Sequence, residues 1–81
     1  MTEWLVYTRQ DCSLCETLLD ELALVLAPAE AARVEIVDIA GDPELERRYG
    51  HRLPVLLADG EFLCDYRLDR ERLGPFLQHL L

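Results

Sequence analysis

The sequence contains no lysine, and all eight of its basic residues are arginines. Sixteen acidic residues outweigh them, which gives a formal net charge of −8 at neutral pH. No run of basic residues interrupts this acidic field, so a polyanion such as nucleic acid is repelled by it. We therefore expect a protein that does not bind nucleic acid.

Long apolar runs and a cleavable leader are also missing. No apolar stretch approaches the roughly 20 residues that span a bilayer, and the N-terminus lacks the basic start and small-residue cleavage site of a secretory signal. We expect a cytoplasmic monomer without a membrane partner. Because 81 residues support only one hydrophobic core, residues 1–81 are predicted to form a single domain.

Cysteine is scarce, and its number is odd: Cys12, Cys15 and Cys64. Three cysteines do not make a disulfide framework, and a CxxC pair in a reducing cytosol is more often catalytic, redox-sensing or metal-binding than structural. Zinc needs two further ligands, for which the candidates are Cys64, His51 and His79. The spacing alone thus leaves open a redox dithiol, half of a metal site, or two ordinary buried thiols.

The first half of the chain alternates strand and helix patterns. Residues 4–7 form a continuous apolar run, which is typical of a central strand, and residues 34–39 are rich in β-branched and charged residues, which favours a strand nearer the edge. Between them, apolar residues recur at steps of three and four, which predicts an amphipathic helix ending near Pro28 and a brief connector over 27–32. That apolar stripe consists of Cys15, Leu18, Leu19, Leu22 and Leu26.

A second, short helix is predicted after the second strand. Asp42 suits the N-cap, Pro43 the first helical position and Gly50 the end of the helix. Leu45 and Tyr49, four residues apart, would form its buried face.

The C-terminal part predicts a hairpin and a last helix. Asp59-Gly60 is a dipeptide that tolerates the positive φ angles of a tight turn between two antiparallel strands. Asp69 is the predicted N-cap of a helix over residues 70–81, within which Pro75 favours a kink or a later start. The order β-α-β-α-β-β-α is most simply satisfied by a four-stranded mixed sheet with helices on both faces.

In this order Cys12 stands at the start of the first helix, directly after the first strand. The unpaired N–H groups and the dipole of a helix N-terminus favour the thiolate, the form that attacks disulfides. Arg9 would add to this effect, whereas Asp11 and Glu16 would oppose it. Cys15, one turn later and on the apolar stripe, would be more buried and would displace the product of the attack by Cys12.

Two stretches, "LVYTRQDCSLC" and "RLPVLLADG", resemble the glutaredoxin-like branch of the thioredoxin fold. The resemblance covers nearly the whole chain and implies a thioredoxin-like α/β fold of four strands and three helices. It also implies thiol–disulfide oxidoreductase activity, with Cys12 as nucleophile, Cys15 as resolving thiol, Arg9 in the place of a substrate-binding lysine, and Pro54 as a cis-proline against the dithiol. The backbone of Leu53 would pair with a bound thiol peptide. No bound cofactor is implied, and glutathione would be a co-substrate.

This chain departs from the family pattern between the cysteines, where it has Ser13-Leu14, and after the last strand, where "LCDYRLD" replaces a Gly-Gly pair. That pair lets the γ-glutamyl end of glutathione approach the backbone, so the substrate is left open between glutathione and a protein disulfide. Arg52 is interpreted either as a ligand for a substrate carboxylate or as part of a solvated loop. A non-catalytic binding module, a redox sensor and a metal or iron–sulfur site stay open as alternative functions, as does a redox role for Cys64.

Overall fold

The computed structural model describes residues 2–77, which contain one mixed sheet. The strands are β1 (Trp4–Thr8), β2 (Glu35–Asp38), β3 (Val55–Ala58) and β4 (Glu61–Asp65). Their order in the sheet is β2-β1-β3-β4, with β1 parallel to β2 and antiparallel to β3, and with β3 antiparallel to β4. The prediction of a central first strand and an edge second strand is confirmed.

Four helices accompany the strands in this part of the chain, one more than predicted: α1 (Ser13–Val25), α2 (Pro28–Ala31), α3 (Pro43–Tyr49) and α4 (Arg70–Leu73). The additional helix, α2, is a single turn within the stretch that was predicted as a connector. Proline is favoured at the first position of a helix, and alanine has the highest helix propensity. The Ala27 carbonyl accepts N–H bonds from Glu30 and Ala31 at 2.9 and 2.8 Å, and these bonds close the turn.

The last helix is much shorter than the predicted one. Helix α4 ends at Leu73 and is followed by a 3₁₀ turn over Gly74–Phe76, because Pro75 lacks the N–H that a continuous helix needs. The predicted apolar side chains are still used, since Leu73 and Leu77 are buried in the core. Residues 78–81, which include the candidate zinc ligand His79, lie outside the described residues.

The capping and turn predictions for the middle of the chain are confirmed. The Asp42 side chain accepts the N–H groups of Glu44 and Leu45 at 3.1 and 3.2 Å and caps α3. Asp59 and Gly60 have φ angles of 52° and 81°, so the β3–β4 turn has the left-handed conformation that this dipeptide tolerates.

Two apolar clusters lie at the sheet. The large cluster joins side chains of the strands to α1 and α4, with Val6, Leu18 and Leu56 among its most buried members. The small cluster consists of Cys15, Ile39 and Leu53 and is covered in part by Tyr7, Cys12, Leu45 and Tyr49. Tyr7 stacks on Tyr49 with ring centroids 4.7 Å apart, which fixes α3 to the central strand. None of the helices within residues 2–77 is long and apolar enough to cross a membrane.

Candidate functional site

Cys12 is the N-cap residue of α1, as predicted. Strand β1 ends at Thr8, and Asp11 reverses the chain with a left-handed φ of 60° directly before the helix. The Cys12 sulfur accepts the backbone N–H of Cys15 at 3.2 Å. The two cysteines are joined by a disulfide, with their Cα atoms 5.2 Å apart. A sulfur therefore occupies the position where helix N-termini most favour a negative group.

The two sulfurs differ in burial, as predicted. Cys15 is 3% exposed and belongs to the small cluster. Cys12 is half-buried and packs against that cluster from its outer side. Cys12 is thus the more accessible of the two cysteines, and Cys15 is shielded by the cluster around it.

The loop before β3 packs against the dithiol. The Leu53–Pro54 peptide bond is cis, and both residues are buried. The Leu53 side chain contacts the cluster that contains Cys15. The structure therefore places Leu53 in one cluster with Cys15, and the cis-proline Pro54 follows Leu53 directly in the chain.

Arg9 also lies at the dithiol, but its charge is already paired. It lines a concavity of about 290 Å³ together with Asp11, Cys12, Cys15 and Glu16. One guanidinium nitrogen of Arg9 lies 2.5 Å from a carboxylate oxygen of Glu46 on α3. Arg9, which was predicted to bind substrate, thus lies in the concavity at the dithiol and is held by an acid of the same chain.

Arg52 is paired as well. Its Nε atom lies 2.9 Å from a carboxylate oxygen of Asp65, and its guanidinium carbon lies 4.8 Å from the centroid of the Phe62 ring. From the sequence, Arg52 was interpreted either as a ligand for a substrate carboxylate or as part of a solvated loop. The structure shows a third arrangement, in which Arg52 joins the loop before β3 to strand β4.

Cys64 lies apart from the dithiol. It is 7% exposed and packs in the large cluster, whereas Cys15 belongs to the small one. Burial is the largest influence on the pKa of this thiol and raises it. The carboxylates of Asp69 and Asp65 raise the pKa further, whereas the backbone N–H of Asp69 and the guanidinium of Arg72 lower it. Cys64 is thus a protonated thiol at neutral pH, which agrees with an inert core residue better than with a nucleophile.

Tyr66 is a residue of the site that sequence reasoning missed. It has a left-handed φ of 63°, which is rare for a bulky side chain. Its backbone N–H donates to the Pro54 carbonyl at 3.0 Å, and its hydroxyl donates to the His51 carbonyl. The position of Tyr66 was the available signal. It stands in the stretch that replaces the Gly-Gly pair, and glycine is the residue that normally adopts a left-handed conformation.

Within residues 2–77, no three side chains of the histidine, cysteine, aspartate or glutamate type are grouped so that they would hold a metal ion. His51 and Cys64 therefore do not complete a zinc site with the dithiol in this part of the chain.

The site contains a dithiol at the start of the helix that follows the central strand, and a cis X-Pro loop packs on the buried cysteine of this dithiol. These features define a thioredoxin-fold protein with a pair of cysteines able to form a disulfide.

Comparison with known proteins specifies the family. A model described as "Glutaredoxin-like domain (DUF836)" matches residues 4–78, and the chain belongs to this glutaredoxin-like family. The uncharacterized protein Rv0508 of Mycobacterium tuberculosis is 34% identical over 70 residues, which cover 82% of this chain and 72% of that protein.

Solved structures show the same fold. The NMR structure of protein Ne2328 from Nitrosomonas europaea matches with a TM-score of 0.80 and 33% identity, over 95% of this chain and 92% of that one. The X-ray structure of protein XcR50 from X. campestris has a TM-score of 0.63 and 38% identity, over 90% and 92% of the two chains. Oxidized glutaredoxin 2 from Chlamydomonas reinhardtii, 16% identical with a TM-score of 0.56 over 80% of this chain and 64% of that one, shares the fold.

Proposed function

We propose that this protein is a thiol–disulfide oxidoreductase in which Cys12 is the nucleophile and Cys15 the resolving thiol. The observation that carries the proposal is the Cys12 sulfur at the N-cap of α1, where it accepts the N–H of Cys15 at 3.2 Å. In the reduced protein the same N–H and the helix dipole would stabilise a Cys12 thiolate. Cys64 takes no part in the exchange.

The reaction conserves atoms and transfers two electrons. The Cys12 thiolate attacks one sulfur of a substrate disulfide, a Cys12–substrate bond forms, and the released substrate thiolate takes up a proton. The Cys15 thiolate then attacks the Cys12 sulfur, which releases the second substrate thiol. The protein ends with the Cys12–Cys15 disulfide and the substrate with two thiols, and an external thiol reductant of the cell restores the dithiol.

The buried contacts of the site support these roles. Because Cys15 is nearly inaccessible, the first attack falls to Cys12, and because the Cα atoms are 5.2 Å apart, the ring closes within the usual range for a disulfide. The backbone of Leu53, beside Pro54, is proposed to align the substrate chain. The reaction requires no resident cofactor, since the two thiols supply both electrons. The proposed substrate is a disulfide of a protein or of glutathione. The protein is proposed to act as a monomer in the cytoplasm.

A single-turnover experiment tests the proposal. The pre-reduced protein is mixed with a peptide disulfide, and mass spectrometry follows the appearance of the Cys12–Cys15 bond and of mixed disulfides. We expect rapid oxidation of the wild type, no reaction for Cys12→Ser, and an accumulated mixed disulfide for Cys15→Ser. Cys64→Ala is the matched control and should react like the wild type. Unimpaired reaction of Cys12→Ser would refute the proposed mechanism.

A further inference from the structure

Two arginines belong to the segments that are proposed to meet a substrate, Arg9 at the dithiol and Arg52 before the cis-proline loop, and each is bound by an acid from another element. Arg9 lines the concavity at Cys12 and is paired with Glu46 of α3, 37 positions away in sequence. Arg52 directly precedes the Leu53–Pro54 loop and is paired with Asp65 of β4. The cations that a substrate carboxylate would seek are therefore occupied in advance.

The remaining charges at the dithiol are negative. Asp11 and Glu16 line the same concavity as Cys12, are exposed, and have no ion-pair partner among residues 2–77. The neighbouring groove between α1 and the loop after β4 adds one charge of each sign, Glu21 and Arg67. In the concavity at the dithiol, two carboxylates without an ion-pair partner thus face one arginine that is already paired with Glu46.

Glutathione carries two carboxylates and one ammonium group, so cations that are free to meet the carboxylates would favour its binding. An arginine that is held by a carboxylate of the same chain must first lose that partner before it can bind an acidic substrate. The cost of breaking this ion pair reduces the affinity for such a substrate. A basic side chain next to the substrate disulfide meets the opposite situation, because Asp11 and Glu16 attract it.

We propose that Glu46 and Asp65 are specificity-determining residues, and that the substrate is a protein disulfide with a basic residue beside the half-cystine rather than glutathione. This inference rests on the proposed exchange reaction through Cys12. The chemistry at sulfur is unchanged: the substrate disulfide is reduced to two thiols while the protein dithiol is oxidised. The carboxylates select which disulfide reaches Cys12.

The test compares three substrates in single-turnover kinetics: two peptide disulfides of equal length, with lysine or glutamate beside the cysteine, and oxidised glutathione. The wild type should react roughly three to ten times faster with the lysine peptide than with the glutamate peptide. Glu46→Gln should release Arg9 and raise the rates with oxidised glutathione and the glutamate peptide about two- to fivefold, which is the range of an exposed ion pair. Asp65→Asn should act in the same direction through Arg52.

The chain provides a matched control on the same helix. Glu44 pairs with Arg47 at 2.5 Å on the surface of α3, so Glu44→Gln frees an arginine through the same chemical change without altering the site. Its three rates should equal those of the wild type. Circular dichroism verifies that each variant is folded.

Different results overturn the two proposals. A wild type that reacts equally with both peptides, or equal effects of Glu46→Gln and Glu44→Gln, would show that the pairs do not set specificity, while exchange through Cys12 would stand. Absence of reaction with all three disulfides would instead remove the exchange reaction and the specificity with it.

Discussion

Helices α1 and α3 begin with the same backbone conformation but with different chemical groups at the N-cap. Cys12 has φ and ψ of −106° and 101°, and Asp42 has −109° and 100°. The Asp42 carboxylate accepts two backbone N–H groups, whereas the Cys12 sulfur accepts one. In α3 the cap stabilises the helix; in α1 the same position holds the atom that is proposed to react.

The comparison explains why the location of Cys12 matters more than the spacing of the two cysteines. A helix N-terminus stabilises a negative group whether it is a carboxylate or a thiolate. Cys64 shows what happens elsewhere, because it also lies near a helix start, that of α4, yet burial and two carboxylates raise its pKa. A cysteine becomes a candidate nucleophile when it is the cap itself and stays accessible.

The largest effect should come from making the two N-caps identical. Cys12→Asp should abolish disulfide exchange, a loss of at least about a hundredfold, because a carboxylate does not form the mixed disulfide. The reduced variant should nevertheless be about 1 kcal/mol more stable than Cys12→Ala, since aspartate is a strong N-cap. Urea unfolding of both variants measures this difference. An aspartate variant less stable than the alanine variant would show that the start of α1 is not equivalent to that of α3.

The next effect concerns the contrasting thiol, Cys64. Because its pKa is raised in the folded state, its contribution to stability is complete below the ordinary thiol pKa of about 8.5 and is lost as pH rises through the folded value. The loss should have a slope of at most about 1.4 kcal/mol per pH unit. Urea unfolding of wild type and Cys64→Ala from pH 7 to 10, with Cys12–Cys15 oxidised, measures it. The stability difference between the two proteins should shrink above pH 8.5, and a constant difference would contradict the raised pKa.

Features that depend on neighbours in sequence could be predicted. The caps Asp42 and Asp69, the Asp59-Gly60 turn and the N-terminal position of Cys12 all involve groups within about four residues of each other. The apolar patterns likewise gave the strands, since alternation and continuous runs report directly on burial.

What could not be predicted depends on pairs that only the fold brings together. Arg9 and Glu46 are 37 residues apart, and Arg52 and Asp65 are 13 apart, so the sequence showed cations without showing that they were paired. The left-handed Tyr66 was missed because tyrosine as a residue type carries no signal for that conformation, and only its position in the stretch that replaces the Gly-Gly pair pointed to it. The apolar spacing predicted a helix over 70–81 with a kink or a later start at Pro75, but it did not show that α4 ends at Leu73 and that a 3₁₀ turn follows over Gly74–Phe76.

A smaller effect is expected at the structural cap. Asp42→Ala leaves the N–H groups of Glu44 and Leu45 without their acceptor and should lower the free energy of unfolding by about 1 kcal/mol. Asp42→Asn retains an accepting oxygen and is the control, with a change of a few tenths of a kcal/mol. Both variants should keep the wild-type exchange rate, because the Asp42 side chain caps α3 and does not line the concavity at the dithiol. A loss of exchange in Asp42→Ala would mean that the two helix starts are coupled.

The smallest effect separates charge from capping at α4. Asp69 accepts the N–H of Glu71 at 3.2 Å, and its carboxylate also raises the pKa of Cys64. Asp69→Asn keeps an accepting oxygen and removes the charge, so stability at pH 7 should change by only about 0.5 kcal/mol. The pKa of Cys64 should fall towards its ordinary value, and the alkaline loss of stability should therefore become smaller than in wild type. The pH series for Asp69→Asn with and without Cys64→Ala measures this; an unchanged alkaline loss would show that burial alone holds the thiol protonated.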